Sequence, residues 1–180
     1  MRIIGGKYGG RNIRVPKGLP VRPTTDRTKE ALFNILNNEL EWPEIKVLDL
    51  FAGTGNISLE CLSRGAAHVT SVDQHAKCIA AIQASFSELS ITNAQAIRAN
   101  VWQFVKQPAA DPYGLIFMDP PYDMPRQGEL VAQLMENNWL AIDGLLVVEH
   151  TSHTQFSALA GFDFSRVYGS STLSFFRHSR

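Results

Sequence analysis

From Lys46 onward, short apolar runs alternate with stretches of helical periodicity, and this alternation restricts the possible folds more than any other feature of the chain. The apolar runs are almost continuous, as in parallel strands that are covered by helices on both faces. They predict strands at 47–51, 68–72, 96–98, 115–118 and 145–148, and helices at 56–64, 74–89 and 129–137. Strands and helices in this order predict an α/β fold with a mostly parallel sheet.

The N-terminal part has a different pattern. Residues 2–16 contain two glycine pairs between apolar residues, which predicts a small β-hairpin. Three prolines then favour an extended backbone, at Pro16, Pro20 and Pro23. Thr25 or Asp26 can cap a helix over 26–38, in which apolar residues recur at helical spacing.

The C-terminal part predicts a further hairpin. Runs at 164–168 and 172–176 flank a Gly-Ser-Ser turn, which is typical of two antiparallel strands. We therefore divide the chain into a basic N-terminal extension, 1–40, made of the hairpin and helix, and a main domain, 41–180.

Basic residues are concentrated in the N-terminal extension. The first 30 residues contain eight lysines and arginines against two acidic residues, a net charge of +6, whereas residues 31–180 have a net charge of −6. A basic segment on an acidic body indicates a polyanionic partner such as nucleic acid, with a solvated basic surface as the alternative. The residues expected to contact this partner are Arg2, Lys7, Arg11, Arg14, Arg22 and Arg27.

The composition disfavours several classes of protein. Apolar residues make up 44% of the chain and charged residues 19%, which is unlike a disordered protein. No apolar run approaches the ~18 residues of a membrane helix, and no secretory signal is recognisable, so we expect a cytoplasmic protein without a membrane partner. Cys61 and Cys78 are expected to be reduced core thiols, and no metal site is expected because the histidines lack ligand spacing.

The first candidate binding motif is Asp-Leu-Phe-Ala-Gly-Thr-Gly-Asn at 49–56, which joins the first predicted strand to a helix. In doubly wound sheets, ligands bind at the carboxyl ends of strands, where Gly53 and Gly55 would let the backbone approach a ligand. Ser58 occupies the position of the third glycine of a dinucleotide fingerprint, and Asp49 suits a ligand with a cationic amino-acid end. An ordinary glycine turn is the alternative.

Polar residues follow the next two strands. Asp73 is placed to accept hydrogen bonds from both hydroxyls of a ribose, and it can also cap the following helix. Asn100 is placed to offer its amide to an adenine ring, and a simple helix cap is an equally good interpretation.

The third motif is Asp-Pro-Pro-Tyr at 119–122, directly after the fourth strand. Its prolines remove two backbone donors, which leaves carbonyl acceptors and the Asp119 carboxylate. Such a loop suits an amino group, whose two N–H bonds Asp119 and the Pro120 carbonyl can accept, while Tyr122 can stack on a flat ring. A structural proline turn is the alternative for this loop alone.

The motifs at 49–55 and 119–122 resemble those of Rossmann-like methyltransferases that act on amino groups. A more specific resemblance comes from the N-terminal segments 2–6, 22–27 and 30–34. When these segments are included, the whole chain resembles the bacterial 16S ribosomal RNA guanine-N2 methyltransferases of the RsmD type. This resemblance implies a Rossmann-like class I methyltransferase sheet, mostly parallel, with an antiparallel C-terminal hairpin. It also implies methylation of a guanine N2 amino group, of the type that modifies guanine 966 of 16S rRNA.

The resemblance also implies the cofactor, the partner and the site residues. The cofactor would be S-adenosyl-L-methionine, and the partner 16S ribosomal RNA within a small subunit or an assembly particle. Catalysis would fall to Asp119, Pro120 and Tyr122. The cofactor would lie against the loops that follow the strands, at Asp49, Phe51, Gly53, Gly55, Asn56, Asp73, Gln74, Asn100 and Val101.

Other activities remain open on the sequence. The same acceptor loop would serve an N6-adenine methyltransferase of RNA or DNA, or a protein-glutamine methyltransferase. A non-catalytic RNA-binding assembly factor could also have this fold. Degraded acceptor or cofactor loops would indicate such a factor, and both loops are intact in this sequence. Ser58 disfavours an NAD-dependent oxidoreductase. Asn100 departs from the acidic residue common in the wider superfamily, which leaves the adenine contact open.

Overall fold

The computed structural model describes residues 1–22 and 24–179, and its centre is a seven-stranded sheet. Pro23, predicted to lie in an extended segment, is outside the described residues. The strands are β1 Lys46–Leu50, β2 His68–Asp73, β3 Ala94–Arg98, β4 Tyr113–Met118, β5 Leu140–Thr151, β6 Phe162–Tyr168 and β7 Ser171–Phe176. They lie in the order β3-β2-β1-β4-β5-β7-β6, and β1 to β5 are parallel. β7 is antiparallel to both β5 and β6, which confirms the predicted C-terminal hairpin.

The helices cover both faces of this sheet. They are α1 Asp26–Glu39, α2 Asn56–Ser63, α3 Ala76–Glu88, α4 Val101–Phe104 and α5 Gln127–Glu136, with a 3-10 turn at Trp42–Glu44. Successive residues of β4 enter two different apolar clusters: Leu115 packs on the face with α1, α2 and α3, and Ile116 packs on the face with α4 and α5. Both faces are therefore buried, which explains the continuous apolar runs. Among the described residues, no helix is long and apolar enough to cross a bilayer.

The element boundaries differ from the sequence-based prediction in several places. β5 was predicted only at 145–148, but pairing with β4 from Leu140 onward and pairing with β7 up to Thr151 extend it to Leu140–Thr151. The helix predicted at 74–89 begins at Ala76, because Asp73 accepts from the backbone of His75 and holds the turn before it. The four-residue helix α4 and the 3-10 turn were not predicted, since neither is long enough to show a period.

The N-terminal segment turns back on itself as a β-hairpin that is shorter than predicted. Its two arms pair antiparallel at Arg2 and Asn12, with backbone hydrogen bonds from Ile3 to Arg11 and from Ile13 to Met1. The backbone N–H groups of Ile4 and Gly5 point instead to α2, where they donate to the Glu60 carboxylate at 2.9 Å each. Donors that are bound to α2 cannot also extend the pairing between the arms, so the hairpin is limited to a few residues of each arm.

A buried ion pair anchors this segment. The Lys29 ammonium lies 3.2 Å from the Glu60 carboxylate, and both side chains are fully buried. Lys29 also donates to the Arg2 carbonyl oxygen at 2.6 Å and to Asn56 Oδ1 at 2.8 Å. Burial alone would raise the pKa of Glu60, but the N–H groups of Ile4 and Gly5, together with Lys29, lower it overall. Lys29 therefore contributes to internal packing and not to the basic surface.

Candidate active site

A crevice opens at the carboxyl ends of the parallel strands, where β1 and β4 lie side by side in the sheet. Its cavity measures about 710 Å³, enough for a cofactor and a base. The predicted site residues that line it are Arg22, Arg27, Asp49, Phe51, Gly53, Asn56, Asp73, Gln74, Asn100, Val101, Asp119, Pro120 and Tyr122. The two loops that carry the candidate motifs thus face the same space.

Residues 51–55, here called the glycine loop, include three positions with a positive φ angle. Gly53 has φ +58°, and its N–H donates to Asp73 Oδ2 at 2.9 Å. Gly55, with φ +78°, is the N-cap of α2, and a Cβ there would lie only 2.9 Å from the Ile82 side chain. Gly55 is therefore packed behind the loop and is not on the crevice wall. Phe51 also has a positive φ, +59°, which is uncommon for a bulky residue and is typical of a strained functional loop.

Asp49 is tied to the helix that follows the loop. Its Oδ2 accepts from the backbone N–H of Ser58 at 3.1 Å and from the Ser58 hydroxyl at 2.6 Å. Since the Ser58 proton is used in this way, the Ser71 hydroxyl, 2.6 Å away, donates to Ser58. Burial, and to a smaller extent the charge of Asp73, raises the pKa of Asp49 to about 7, against the hydrogen bonds from Ser58. The serine in place of a third glycine thus orients a carboxylate.

We expect Asp49→Asn to stabilise the cofactor-free protein at alkaline pH. The folded state holds the Asp49 carboxyl at a pKa of about 7, above its unfolded value of 3.8, so ionisation costs stability as pH rises through this window. The asparagine avoids this cost, on the order of 2–4 kcal/mol above pH 7. Denaturant unfolding at pH 4.5 and pH 8 measures it, with the exposed Asp143→Asn as control. Parallel pH profiles for wild type and Asp49→Asn would contradict this account.

Asp73 organises two segments of the crevice. Besides accepting from Gly53, it accepts from the His75 backbone N–H at 2.9 Å, and His75 Nδ1 lies 2.9 Å from the same oxygen, Oδ1. The residue that caps α3 is His75, so Asp73 holds the turn and is not itself the cap. Asp73, His75 and Cys78 also offer one metal-ligand atom each within 4.8 Å of one another.

Asn100 lies at the rim of the crevice as the cap of α4. Its side-chain oxygen accepts from the Gln103 N–H at 3.3 Å, which confirms the capping interpretation. The amide nitrogen is not used in that bond, and Val101 behind it is buried. The capping role and a contact with an adenine ring are therefore compatible.

The acceptor loop faces a second carboxylate that the sequence analysis missed. Asp119 follows β4 and Glu149 ends the core of β5, and the register Met118↔Val148 places them at neighbouring positions. Glu149 accepts from Ser171 Oγ at 3.0 Å and from Thr24 Oγ1 at 3.4 Å. Burial raises the pKa of both carboxyl groups, and the negative charge of Glu149 raises the pKa of Asp119 further. The rule that selected Asp49, Asp73 and Asp119, a polar residue at a strand's carboxyl end, would have found Glu149.

The aromatic residue of the acceptor loop is open to solvent. The side chain of Tyr122 is 69% exposed at the crevice mouth, and Pro120 beside it is buried. Gln127 donates to the Pro121 carbonyl at 3.2 Å and steadies the loop from α5. A large exposed ring on a braced loop leaves a face on which a base can stack.

The predicted basic residues fall into two groups. Arg22 and Arg27 line the crevice, and Arg22 donates to Ser170 Oγ at 3.2 Å across its mouth. The other residues are exposed outside the crevice on the N-terminal segment, namely Arg2, Lys7, Arg11 and Arg14. Lys7 and Arg11 both lie over the ring of Tyr8, at 5.2 and 5.8 Å from its centroid.

Comparison with known proteins gives a consistent result. A family model described as "Conserved hypothetical protein 95" matches residues 1–177. Ribosomal RNA small subunit methyltransferase D of Escherichia coli strain K12 is 36% identical over 149 residues, which are 83% of this chain and 74% of the relative. The chain belongs to the RsmD family of methyltransferases. The family match spans both the N-terminal segment and the crevice.

Solved structures agree with this membership. The yhhF protein from Escherichia coli superposes with a TM-score of 0.88 at 33% identity, covering 100% of this chain and 99% of that one. Coclaurine N-methyltransferase, solved with N-methylheliamine and SAH, superposes with a TM-score of 0.57 over 71% of this chain and 36% of its own. At 22% identity the second comparison shows the fold alone, which is that of a class I methyltransferase and confirms the predicted fold class.

Proposed function

We propose that this protein transfers a methyl group from S-adenosyl-L-methionine to the N2 amino group of a guanine in 16S ribosomal RNA. One observation carries the proposal: the glycine loop with Asp49 and Asp73, and the acceptor loop with Asp119 and Pro120, line the same crevice. The first suits the cofactor and the second suits an amino group. The name of the Escherichia coli relative supports small-subunit ribosomal RNA as substrate, and guanine 966 is the position that the RsmD likeness suggests.

The residues of the crevice fit this cofactor. The Asp49 carboxylate and the loop over Gly53 offer acceptors and close backbone approach to its cationic amino-acid end, with Phe51 and Asn56 alongside. Asp73 retains lone pairs for the ribose hydroxyls, since a carboxylate can accept about four hydrogen bonds. Gln74, Asn100 and Val101 would then border the adenine. When bound, the cofactor supplies a methyl group on a positively charged sulfur.

Asp119 and Pro120 would prepare the amine. The lone pair of the guanine amino nitrogen is delocalised into the ring, so the group is a poor nucleophile. Acceptance of one N–H by the Asp119 carboxylate and the other by the Pro120 carbonyl would turn this lone pair toward the methyl carbon. As the N–C bond forms and the methyl–sulfur pair leaves with sulfur, Asp119 can take the proton that nitrogen loses. Tyr122 would stack on the extruded base and hold it in line.

Labelled cofactor and small ribosomal subunits that lack the modification test this proposal directly. Incubation with the protein is expected to transfer label to RNA, and nucleoside analysis should find it in N2-methylguanosine at a single mapped position. Free 16S RNA is assayed in parallel, so that the experiment also distinguishes naked RNA from the assembled particle as the substrate. Label in an adenosine, or no transfer to either substrate, would contradict the proposal.

The exposed basic residues are expected to bind phosphates of the RNA. Arg11→Gln combined with Arg14→Gln should weaken binding to small subunits and flatten its salt dependence by up to ~0.7–0.9 log units of slope per lost contact. Arg22 is left unchanged, because it lies at the crevice mouth and its loss would disturb the acidic residues there. Filter binding at several salt concentrations gives the slope, and Lys106→Gln with Arg166→Gln is the charge-matched control. An unaltered slope would move the RNA surface elsewhere, for example to Arg126 beside Trp102.

A further inference from the structure

The carboxylates of Asp119 and Glu149 lie side by side in the part of the crevice that is next to the acceptor loop. Asp119 and Glu149 follow paired positions of β4 and β5, and adjacent strands lie about 4.8 Å apart. Both line the cavity beside Pro120 and Tyr122. The mechanism above uses Asp119 and leaves Glu149, which is 8% exposed, without a role. A buried acidic residue beside another acid is costly, so its presence calls for a compensating donor.

The protein compensates Glu149 only in part. Each of its oxygens accepts one hydroxyl, Ser171 on Oε1 and Thr24 on Oε2, and a carboxylate has room for about two more bonds. These two hydroxyls also fix the carboxylate between the β7 strand and the segment before α1. Arg22 contributes positive charge nearby but donates to Ser170. The Glu149 carboxylate is therefore fixed in position at the cavity wall and can accept further hydrogen bonds from a ligand.

The edge of a guanine supplies donors in this arrangement. Its exocyclic amine and its N1–H are adjacent donors on one side of the ring, whereas adenine presents its amine beside an unprotonated N1, which is an acceptor. We propose, on the basis of the proposed function, that Glu149 is a specificity-determining residue that accepts the N1–H of the target guanine while Asp119 accepts from its amine. Adenine in the same pose would place N1 against the Glu149 carboxylate and be rejected.

In this assignment Glu149 recognises the base, whereas Asp119 takes part in the reaction at the amine. A site that is built to bond a particular N–H rejects an analogue that lacks it, because a buried charge is left unpaired. The informative analogue is 2-aminopurine, which keeps the 2-amino group but has an acceptor at N1. Glu149→Gln is the matching variant, since the amide can still accept from Ser171 or Thr24 and its NH₂ can donate to that N1.

The experiment tests wild type and Glu149→Gln, each on substrates with guanine and with 2-aminopurine. Small subunits are reconstituted from 16S RNA ligated with guanine or 2-aminopurine at the mapped position, and kcat/KM for methylation is measured. We expect wild type to lose at least about 10²-fold on 2-aminopurine. Glu149→Gln should lose roughly 10-fold on guanine, gain on 2-aminopurine relative to wild type, and keep its affinity for S-adenosyl-L-methionine. Glu88→Gln, an exposed carboxylate at the end of α3, is the control.

The possible outcomes separate this inference from the function on which it rests. If wild type methylates both bases equally, or if Glu149→Gln loses activity on both in the same proportion, Glu149 does not read N1 and the inference is overturned, while guanine methylation stands. Loss of the O6 oxygen in 2-aminopurine cannot mimic the expected result, because Glu149→Gln would not restore it. If wild type fails on the guanine subunits, the proposed function is overturned and the inference with it.

Discussion

Replacement of Asp119 by alanine is expected to lower the rate of methyl transfer by roughly 10²–10⁴-fold while leaving cofactor affinity nearly unchanged. Asp119 lies on the acceptor loop after β4, where its backbone N–H donates to the Leu50 carbonyl and its carboxylate lines the crevice. Its loss removes an acceptor for the target amine and leaves the glycine loop and Asp73 intact. Single-turnover methylation of small subunits with saturating cofactor gives the rate, and calorimetric titration gives the affinity.

The conservative variant Asp119→Asn separates two roles of this residue. If geometry of the accepted hydrogen bond dominates, asparagine should retain most of the activity, whereas if charge or proton acceptance dominates, it should be as poor as alanine. Burial and the charges of Glu149 and Asp49 raise the pKa of Asp119, so wild-type kcat/KM should increase as pH rises through that value. Asparagine should remove the part of this dependence that Asp119 contributes, while the titration of Asp49 and Glu149 remains. Near-wild-type activity of Asp119→Ala would refute the amino-group mechanism and favour an assembly factor.

Replacement of Glu60 by alanine is expected to lower the free energy of unfolding by about 3–5 kcal/mol, more than any other single change considered. The variant leaves the fully buried Lys29 ammonium without its counter-charge, and it leaves the N–H groups of Ile4 and Gly5 without an acceptor. Because the pKa of Glu60 is lowered by folding, its stabilisation is present above the unfolded pKa and is lost as pH falls. Denaturant unfolding at pH 7 and pH 4 measures both effects.

A double variant identifies the cause of this destabilisation. Lys29→Met with Glu60→Ala removes the stranded charge, so it should unfold less easily than the sum of the two single variants predicts. Glu136→Ala, on the exposed side of α5, is the control for loss of a surface carboxylate. Additive single effects would mean that the ion pair does not couple the N-terminal segment to α2.

The sheet was largely predictable because burial on both faces leaves a continuous apolar run. The prediction failed where strand pairing, not burial, decides the conformation. The first residues of β5 include Ile142, which is 84% exposed, and Asp143, so no apolar run marks them. Their strand conformation starts from pairing of Leu140 with Tyr113, a contact between segments that are distant in sequence. Local periodicity cannot report such a pairing.

The site was predictable to the extent that it lies at strand ends. Asp49 lies near the end of an apolar run, Asp73 and Asp119 directly follow such runs, and the structure brings all three to one crevice. Glu149 could have been found by the same rule. The bond between Ser58 and Asp49 could not, and neither could the pairing of Lys29 with Glu60, because each depends on how α2 packs against its neighbours. The sequence displayed Lys29 only as one more positive charge.

The anchoring of the N-terminal segment limits how members of this family can be recombined. Residues 2–13 contact the body through α2, where Glu60 and Ser63 receive the backbone N–H groups of Ile4, Gly5 and Tyr8. In a chimera that exchanges the segment alone, its backbone N–H groups would still need acceptors at the positions of Glu60 and Ser63 on α2 of the host. Transplantation would need the partner positions on α2 and Lys29 on α1 as well. The N-terminal segment and the residues of α1 and α2 that hold it thus form one structural unit that is discontinuous in sequence.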